Sequence, residues 1–502
     1  MGLFRVNEIH KIQKAWQWVK LDEAVDVFDN LRKPVNSEER EKRIIGKKTE
    51  DLFPYYGATG QVGWIDEFIT NGEYVLVGED GAPFLDLYKE KAYIIRGKTW
   101  VNNHAHILQG KAGITLNAFL LNYLNHFNYN GFVNGTTRFK LTKGRLLDIP
   151  IPLPPIPEQH AIVSKIEQLF SELDKGIESL KTAQQQLKVY RQSVLKWAFE
   201  GKLTEKWRQN QNLPDALELL EKIQKEREEK AKAIGKKLKP VAPLTKEEIA
   251  VLPALPKGWG WVRLGEVSIG VEYGSAAKSK EAGKVPVLRM GNIQNGKFDW
   301  QNLVYTNDDA EIKKYLLSKN DVLFNRTNSP ELVGKTAIYK DERPAIFAGY
   351  LIRINHLPSI VAADYLNYFL NSHFAKTYGN SVKTDGVNQS NINGERLKGY
   401  PFPICSLSEQ HQIVQEIESR LSECDNMEAT IAISLQQAEA LRQSILKKAF
   451  EGKLLNEKEL EAVRQDPKWE PAERLLERIR AEKDGRHSGR KVGRARHEQN
   501  EA

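Results

Sequence analysis

Two places in the chain end the way a phosphate-binding loop ends. Gly97-Lys98-Thr99 and Gly334-Lys335-Thr336 each offer a glycine for close backbone approach, a lysine for phosphate charge and a threonine hydroxyl for magnesium. Ala92 and Ser329 stand where such a loop needs its first glycine, so neither segment can wrap a triphosphate. Methyl transfer to an exocyclic amine needs a glycine-rich cofactor strand and an Asn/Asp-Pro-Pro-aromatic motif, and Leu153-Pro154-Pro155-Ile156 holds the only Pro-Pro pair. Pro214-Asp215 followed by Glu228-Glu229-Lys230 has the residue types of a metal-dependent nuclease. That acidic pair falls in a charge-rich helix, which reads as a solvated face. His104 and His106 would share a strand face, but no Cys or carboxylate partner stands close in sequence, so structural roles are expected and a metal is not. The expectation is a chain with no catalytic residues and no cofactor of its own.

What remains is binding chemistry. Amide and basic side chains in loops can read base edges, and several loops concentrate them. In the first half these are Tyr55-Tyr56-Gly57, Asn102-Asn103-His104, and Gly135-Thr136-Thr137-Arg138 with Lys140. In the second they are Arg289 and Asn292, then Asn325-Arg326-Thr327-Asn328 with Lys335, then Asn388-Gln389. The charge balance agrees: Lys+Arg 74 against Asp+Glu 66 leaves a net +8, a mild excess that suits a polyanionic partner. Two cysteines, Cys405 and Cys424, cannot build a disulfide framework or a Cys-type zinc site, and a reducing cytoplasm fits that usage. Neither a signal peptide nor a run of 18 or more apolar residues is visible.

These loops need elements to carry them, and the elements repeat. The 502 residues are 28% charged and 40% hydrophobic, enough for packed cores in about three domains at ~150 residues each. Asp148–Thr204 aligns without a gap on Gly399–Leu455 at a constant offset of 251, with roughly 25 of about 57 positions identical. Glu158-Gln159-His160 matches Glu409-Gln410-His411, Arg191-Gln192-Ser193 matches Arg442-Gln443-Ser444, and AFEGKL recurs at 198–203 and 449–454. WVKL at 18–21 matches WVRL at 261–264, while 22–133 and 265–384 show little mutual resemblance.

After the proline runs 150–157 and 401–403, which should hold off helix until Glu158 and Glu409, the apolar spacing becomes heptad. Ile166, Leu173, Leu180, Leu187 and Val194 stand seven apart, with Leu169, Ala183, Tyr190 and Trp197 three further on. Ile417, Cys424, Ile431, Ala438 and Ile445 repeat the seam, flanked by Met427 and Leu441. Two helices of about 40 residues, roughly 60 Å each, should pair along these seams and end near Gly201 and Gly452. The reading is α+β. It places one mixed head at 1–152, a helical spacer at 153–204, a charged helix and Pro-rich linker at 205–257, a second head at 258–402, a second spacer at 403–455, and a C-terminal helix with a basic, disordered tail at 456–502.

This order, a variable head opening with W-V-K/R-L, a proline junction, E-Q-H, a long helix closing on A-F-E-G-K-L, then all of it again, resembles the specificity (S) subunit of type I restriction-modification systems. The resemblance covers the chain to about residue 480, and NRTNSPELVGKTA at 325–337 looks like a target recognition domain of that family. It implies a non-catalytic DNA-binding subunit with two target recognition domains on an antiparallel coiled coil with an internal pseudo-twofold repeat. Each domain would read half of an asymmetric bipartite site. Two methyltransferase (M) subunits would methylate adenine at N6 and restriction (R) subunits would cleave unmodified DNA, with S-adenosylmethionine, ATP and magnesium on those partners. The reading weighed against it is a coiled-coil scaffold whose heads bind proteins.

Overall fold

The computed structural model describes residues 12–480 apart from 234, 236, 237, 239, 388 and 479. The basic tail from Asp484 and the candidate Asn388 lie outside the described residues. The chain forms two compact units, one joining the segment up to Lys181 with the segment from Ala432, the other comprising Thr182–Ile431. Two 44-residue helices, Ile156–Phe199 and Leu407–Phe450, each begin in one unit and end in the other. Among the described residues no helix is long and apolar enough to cross a membrane.

The first unit is built on a six-stranded sheet in the order Val25–Val27, Ala105–Gly110, Thr70–Gly78, Ala92–Val101, Phe53–Gly57, Gly60–Ile65. The expected strands at 72–78 and 92–97 form its centre, pairing antiparallel from Thr70–Thr99 to Val77–Ala92. Val75 and Val77 face one core and Leu76 the other, so the middle strand is buried on both sides. Helix Asn117–His126 buries Phe119, Leu120, Tyr123 and Leu124 in the larger core. So do Ile445, Leu446, Ala449 and Phe450 from the end of the second long helix. Phe450 meets Phe119 and Tyr123 edge-on at 5.4 and 5.1 Å, a geometry that adds about 0.5–1.5 kcal/mol to area burial.

The second unit has a four-stranded antiparallel sheet (Ser268–Tyr273, Leu351–His356, Val322–Asn325, Thr336–Ile338) and a three-stranded one (Val304–Thr306, Val285–Leu288, Ile346–Phe347). Its main core takes Val194, Leu195, Ala198 and Phe199 from the end of the first long helix. Phe199 packs edge-on against Tyr365 and Phe369 at 5.2 and 5.3 Å. Each head is therefore completed by the helix that begins in the other half of the sequence.

The proline runs are strands, not merely stiff junctions. Pro150–Leu153 pairs with Gln17–Lys20, and Pro401–Ile404 pairs with Gly260–Arg263. A two-stranded ribbon tolerates prolines, whose missing donors can face away from the partner. The long helices begin at Ile156 and Leu407, earlier than expected, and in the first of them Pro157 fits because it sits in a first turn that has no use for its N–H. They end alike. Lys202 and Lys453 donate to the carbonyls of Trp197 and Lys448, and Gly201 and Gly452 donate to those of Ala198 and Ala449. This Schellman closure puts both glycines at left-handed φ, +68° and +70°.

Within each unit the start of one long helix lies antiparallel beside the end of the other. In the first unit Arg442 pairs with Asp174 and lies 4.4 Å over the Phe170 ring. In the second, Arg191 pairs with Asp425 at 2.5 Å and Glu428 at 3.2 Å. Arg191 and Arg442 are equivalent in the repeat, as are Asp174 and Asp425, so one ion pair has been made twice. Ile166, Val194, Ile417, Cys424, Ile431, Ala438 and Ile445 are buried as the seam requires. Leu173, Leu180 and Leu187 are only half-buried, and Met427 and Leu441 are about half exposed, contrary to expectation. In the second long helix about one side chain per heptad from Ile417 to Ile445 is interior, whereas in the first no side chain between Ile166 and Val194 is buried.

Candidate nucleic-acid interface

In the first unit the three candidate stretches converge. Asn102 N–H donates to the Tyr56 carbonyl, Glu79 N–H to that of His104, and Leu141 N–H to that of Glu79, so strand ends lead directly into the loop at 134–140. That loop closes by reciprocal bonds between the backbones of Asn134 and Lys140, at 3.0 and 2.8 Å. Gly135 has φ +107°, and a Cβ there would stand 2.4 Å from the Arg138 carbonyl oxygen, so the turn needs glycine. Thr136, Thr137, Arg138 and Lys140 are exposed, as is Asn103.

The charges under this loop are mutually satisfied. Arg138 pairs with Asp80 at 2.8 Å, Lys140 with Glu79 at 3.2 Å, and Arg32 with both Glu79 and Asp29. His106 is interior, its ring held between Asp29 Oδ2 at 2.8 Å and the Leu141 carbonyl at 3.0 Å, the structural role expected of it. Burial opposes ionisation of Asp29, yet the His106 bond and charge, the Ile107 N–H and Arg32 hold its carboxyl below the usual range. Glu79 is likewise held low against burial by Arg32, His106 and Lys140.

Two expected contacts of this unit are interior side chains. Tyr55 is buried, donates its hydroxyl to the Val35 carbonyl at 3.0 Å and lies under Arg40. Asn102 is buried and accepts the His104 N–H at 2.8 Å. Both shape the loops and do not present an edge to a ligand. Tyr56 is half-buried against Tyr93 at 5.8 Å, and burial pushes its hydroxyl up.

In the second unit, stretches 325–328 and 384–391, about 60 residues apart in sequence, meet as strands. Thr327–Asn328 pairs with Ser390–Asn391, which pairs with Thr384–Asp385, and the Asn391 amide donates to Thr327 Oγ1 at 2.8 Å. The Thr384–Asn391 hairpin occupies the place in the repeat that the 134–140 loop occupies in the first half. Gln389 is exposed at its tip, and its carbonyl accepts the Gly386 N–H at 2.8 Å.

Arg326 begins this patch with its backbone fixed on both sides, donating to the Tyr350 carbonyl and accepting from Ile392 N–H at 3.0 and 2.9 Å. Arg289 is exposed, with one guanidinium bond to the Asn302 carbonyl at 2.9 Å. Asn292 is buried, its amide donating to the carbonyls of Asp299 and Gln301, and serves its own turn. Asn325 is wholly buried, and Lys335, at the foot of the same hairpin, is half-buried with its carbonyl accepting the Asn325 N–H. For Asn292 and Asn325 the expectation of a direct base contact gives way to an interior position.

Sequence reasoning found the repeated Glu-Gln-His words without giving them a task. Glu158 is buried and accepts from two indoles, Trp16 at 2.7 Å and Trp469 at 2.9 Å. Glu409, equally buried, accepts from the Trp259 indole at 2.9 Å, Thr204 Oγ1 at 2.8 Å and Arg208 Nε at 2.7 Å. The adjacent glutamines do one job twice. Gln159 accepts the Leu116 N–H and donates to the carbonyls of Ile114 and Pro154, while Gln410 accepts the Ala362 N–H and donates to those of Ile360 and Cys405. Each Glu-Gln pair thus fastens the start of a long helix to its own head and to the segment that follows the other helix.

The family model described as the type I restriction modification DNA specificity domain matches residues 13–182 and 256–437. The EcoKI specificity subunit of a type I restriction enzyme, from Escherichia coli K12, is 28% identical over 341 residues, covering 67% of this chain and 64% of that protein. A putative type I restriction enzyme specificity subunit of Haemophilus influenzae, S.HindORF215P, is 39% identical over 153 residues, 30% of this chain and 37% of that one. The chain thus spans less than two thirds of either relative. Among solved structures, a chain from a study of complex assembly and conformational transition of the type I R-M system superposes with a TM-score of 0.58 at 17% identity, covering 89% of this chain and all of that one.

Proposed function

The chain belongs to the type I restriction-modification DNA specificity family, and from that premise we propose that it is the non-catalytic specificity subunit of such a complex, acting on cytoplasmic DNA. Each head reads one half of an asymmetric bipartite site in double-stranded DNA. The subunit positions two methyltransferase subunits for adenine N6 methylation and the restriction subunits for cleavage of unmodified DNA. S-adenosylmethionine, ATP and magnesium belong to those partners.

The observation that carries this reading is the doubling of the scaffold without doubling of the heads. The Glu-Gln fastenings, the Schellman closures and the Arg–Asp pair occur twice at equivalent positions, whereas the sheets they carry differ in strand order and number. Two equal mounts with unequal readers suit two unequal half-sites. The exposed loops at 134–140 and 384–391 stand at equivalent places on those mounts, and Tyr56, Asn103, Thr136, Thr137, Arg138, Lys140, Arg289, Arg326, Thr327, Asn328, Lys335 and Gln389 are the side chains left to meet DNA.

The test is co-expression with the methyltransferase subunit of its system and single-molecule sequencing of N6-methyladenine. An asymmetric bipartite motif that vanishes when this chain is deleted is the expected result. A stable complex without any such motif contradicts the proposal. Seven residues added to both long helices should change the spacer of that motif and leave its half-sites intact.

A further inference from the structure

The second unit contains an arginine whose surroundings are not those of a structural arginine. Arg353 is held by Glu272 and Asp321, Arg263 by Glu248, and Arg191 by Asp425 and Glu428. Arg326 is half-buried, and among the described residues no carboxylate pairs with it. One terminal nitrogen reaches the Gly349 carbonyl at 3.4 Å, a long bond, and Nε is buried without an acceptor. The residue before it, Asn325, is wholly buried, and its amide nitrogen also lacks an acceptor. A buried donor left unmatched costs about 1–3 kcal/mol, more when charged, and while Asn325 lies inside, the half-buried Arg326 guanidinium at this strand end calls for a ligand that brings acceptors.

The guanidinium is not loose. Its carbon lies 4.9 Å from the centre of the Tyr273 ring, and Tyr273 is itself fixed, its hydroxyl accepting the Gly394 N–H at 2.8 Å. A Cβ on Gly394 would stand 2.7 Å from Val271 and 3.0 Å from that hydroxyl, so glycine permits the approach. The pair stands at two strand ends, and two more belong to the same group. Tyr273 closes one, Arg289 follows Leu288, Arg326 follows Asn325, and Gly349 lies two residues past Phe347. Ser275 N–H bonds to the Phe347 carbonyl and Ala348 N–H to that of Leu288, which ties these ends together. An arginine with a fixed backbone and a ring beneath it is pre-organised to offer paired N–H groups at a set angle, the arrangement that matches O6 and N7 of guanine in a major groove.

Resting on the specificity-subunit reading, we propose that Arg326 reads a guanine in the half-site of the second head and that Tyr273 is its positioning residue. A phosphate oxygen would present the same acceptor chemistry, so the experiment must separate the two. The complex with the methyltransferase subunit is assembled with the wild-type chain and with Arg326→Ala, Arg326→Lys, Tyr273→Leu and Tyr273→Phe, and the methylated motif is sequenced. Arg326→Ala and Arg326→Lys should relax one G·C position in one half-site, lowering discrimination there roughly 5- to 150-fold, with the other half-site and the spacer unchanged. Tyr273→Leu should relax the same position, and Tyr273→Phe, which keeps the ring but loses the hydroxyl bond to Gly394, should relax it less. The unaltered half-site shows in the same data that the complex is folded. A uniform fall in methylation with the motif unchanged and a shallower salt dependence would assign Arg326 to a phosphate and overturn the guanine assignment alone. A wild-type chain that yields no motif would overturn the specificity reading together with this one.

Discussion

A buried carboxylate must be met by donors, and Glu158 and Glu409 meet that demand differently. Glu409 has the Arg208 guanidinium beside it, whereas the bonds to Glu158 come from two neutral indoles. Glu409→Gln leaves a half-buried cation without its counter-charge and should cost about 3–5 kcal/mol. Glu158→Gln sets an amide N–H against one indole N–H and should cost about 1–3 kcal/mol. Denaturation of the full chain, with hydrogen exchange followed separately in each unit's main sheet, will rank them, and an equal or larger loss for Glu158→Gln refutes the argument. The words Glu-Gln-His were legible in the sequence, but their partners were not, since Trp16 and Trp469 stand 142 and 311 residues from Glu158. The interior places of Tyr55, Asn102, Asn292 and Asn325 were hidden for another reason, because a tyrosine or an amide near a turn looks alike in sequence whether it serves the fold or a ligand.

At the scale of elements, the two helix closures share a backbone and differ in their neighbours. A Cβ on Gly201 would stand 2.4 Å from Cγ of Pro256, in a stiff ring, and one on Gly452 would stand 2.8 Å from Cγ of Gln13, in a chain that can swing away. Both alanine variants incur about 1–2 kcal/mol for left-handed φ. Gly201→Ala should lose about a further 1–3 kcal/mol to the clash, so its unit should melt several degrees below that of Gly452→Ala. Equal melting shifts would show that the ring gives way. Heptad spacing placed both long helices and Gly-Lys-Leu placed their ends, because helical period and left-handed glycine are local properties. The spacing overstated the seam, since it cannot say whether a third element covers Met427 and Leu441.

At the scale of the whole molecule, the side chains that complete the two heads are nearly the same. Val194, Leu195, Ala198 and Phe199 serve one core, and Ile445, Leu446, Ala449 and Phe450 serve the other. A chain cut in the linker after Pro243 keeps the first head and a helix end of that same character, with no head for the helix and no helix for the head. It should therefore self-associate as a dimer in which each copy's helix completes the other copy's head. Light scattering will show this, and a well-folded monomer at micromolar concentration would contradict the account of the core. The sequence by itself determined that there are two copies of one scaffold, where their helices run and stop, and that the heads differ, because period, glycine and proline act over a few residues. Only the tertiary structure decided which helix end fills which head, which amides face inward, and that Arg326 meets Tyr273 at the end of a sheet. Burial of apolar surface has no direction and the two helix ends carry equivalent side chains, so nothing local distinguishes one pairing from the other.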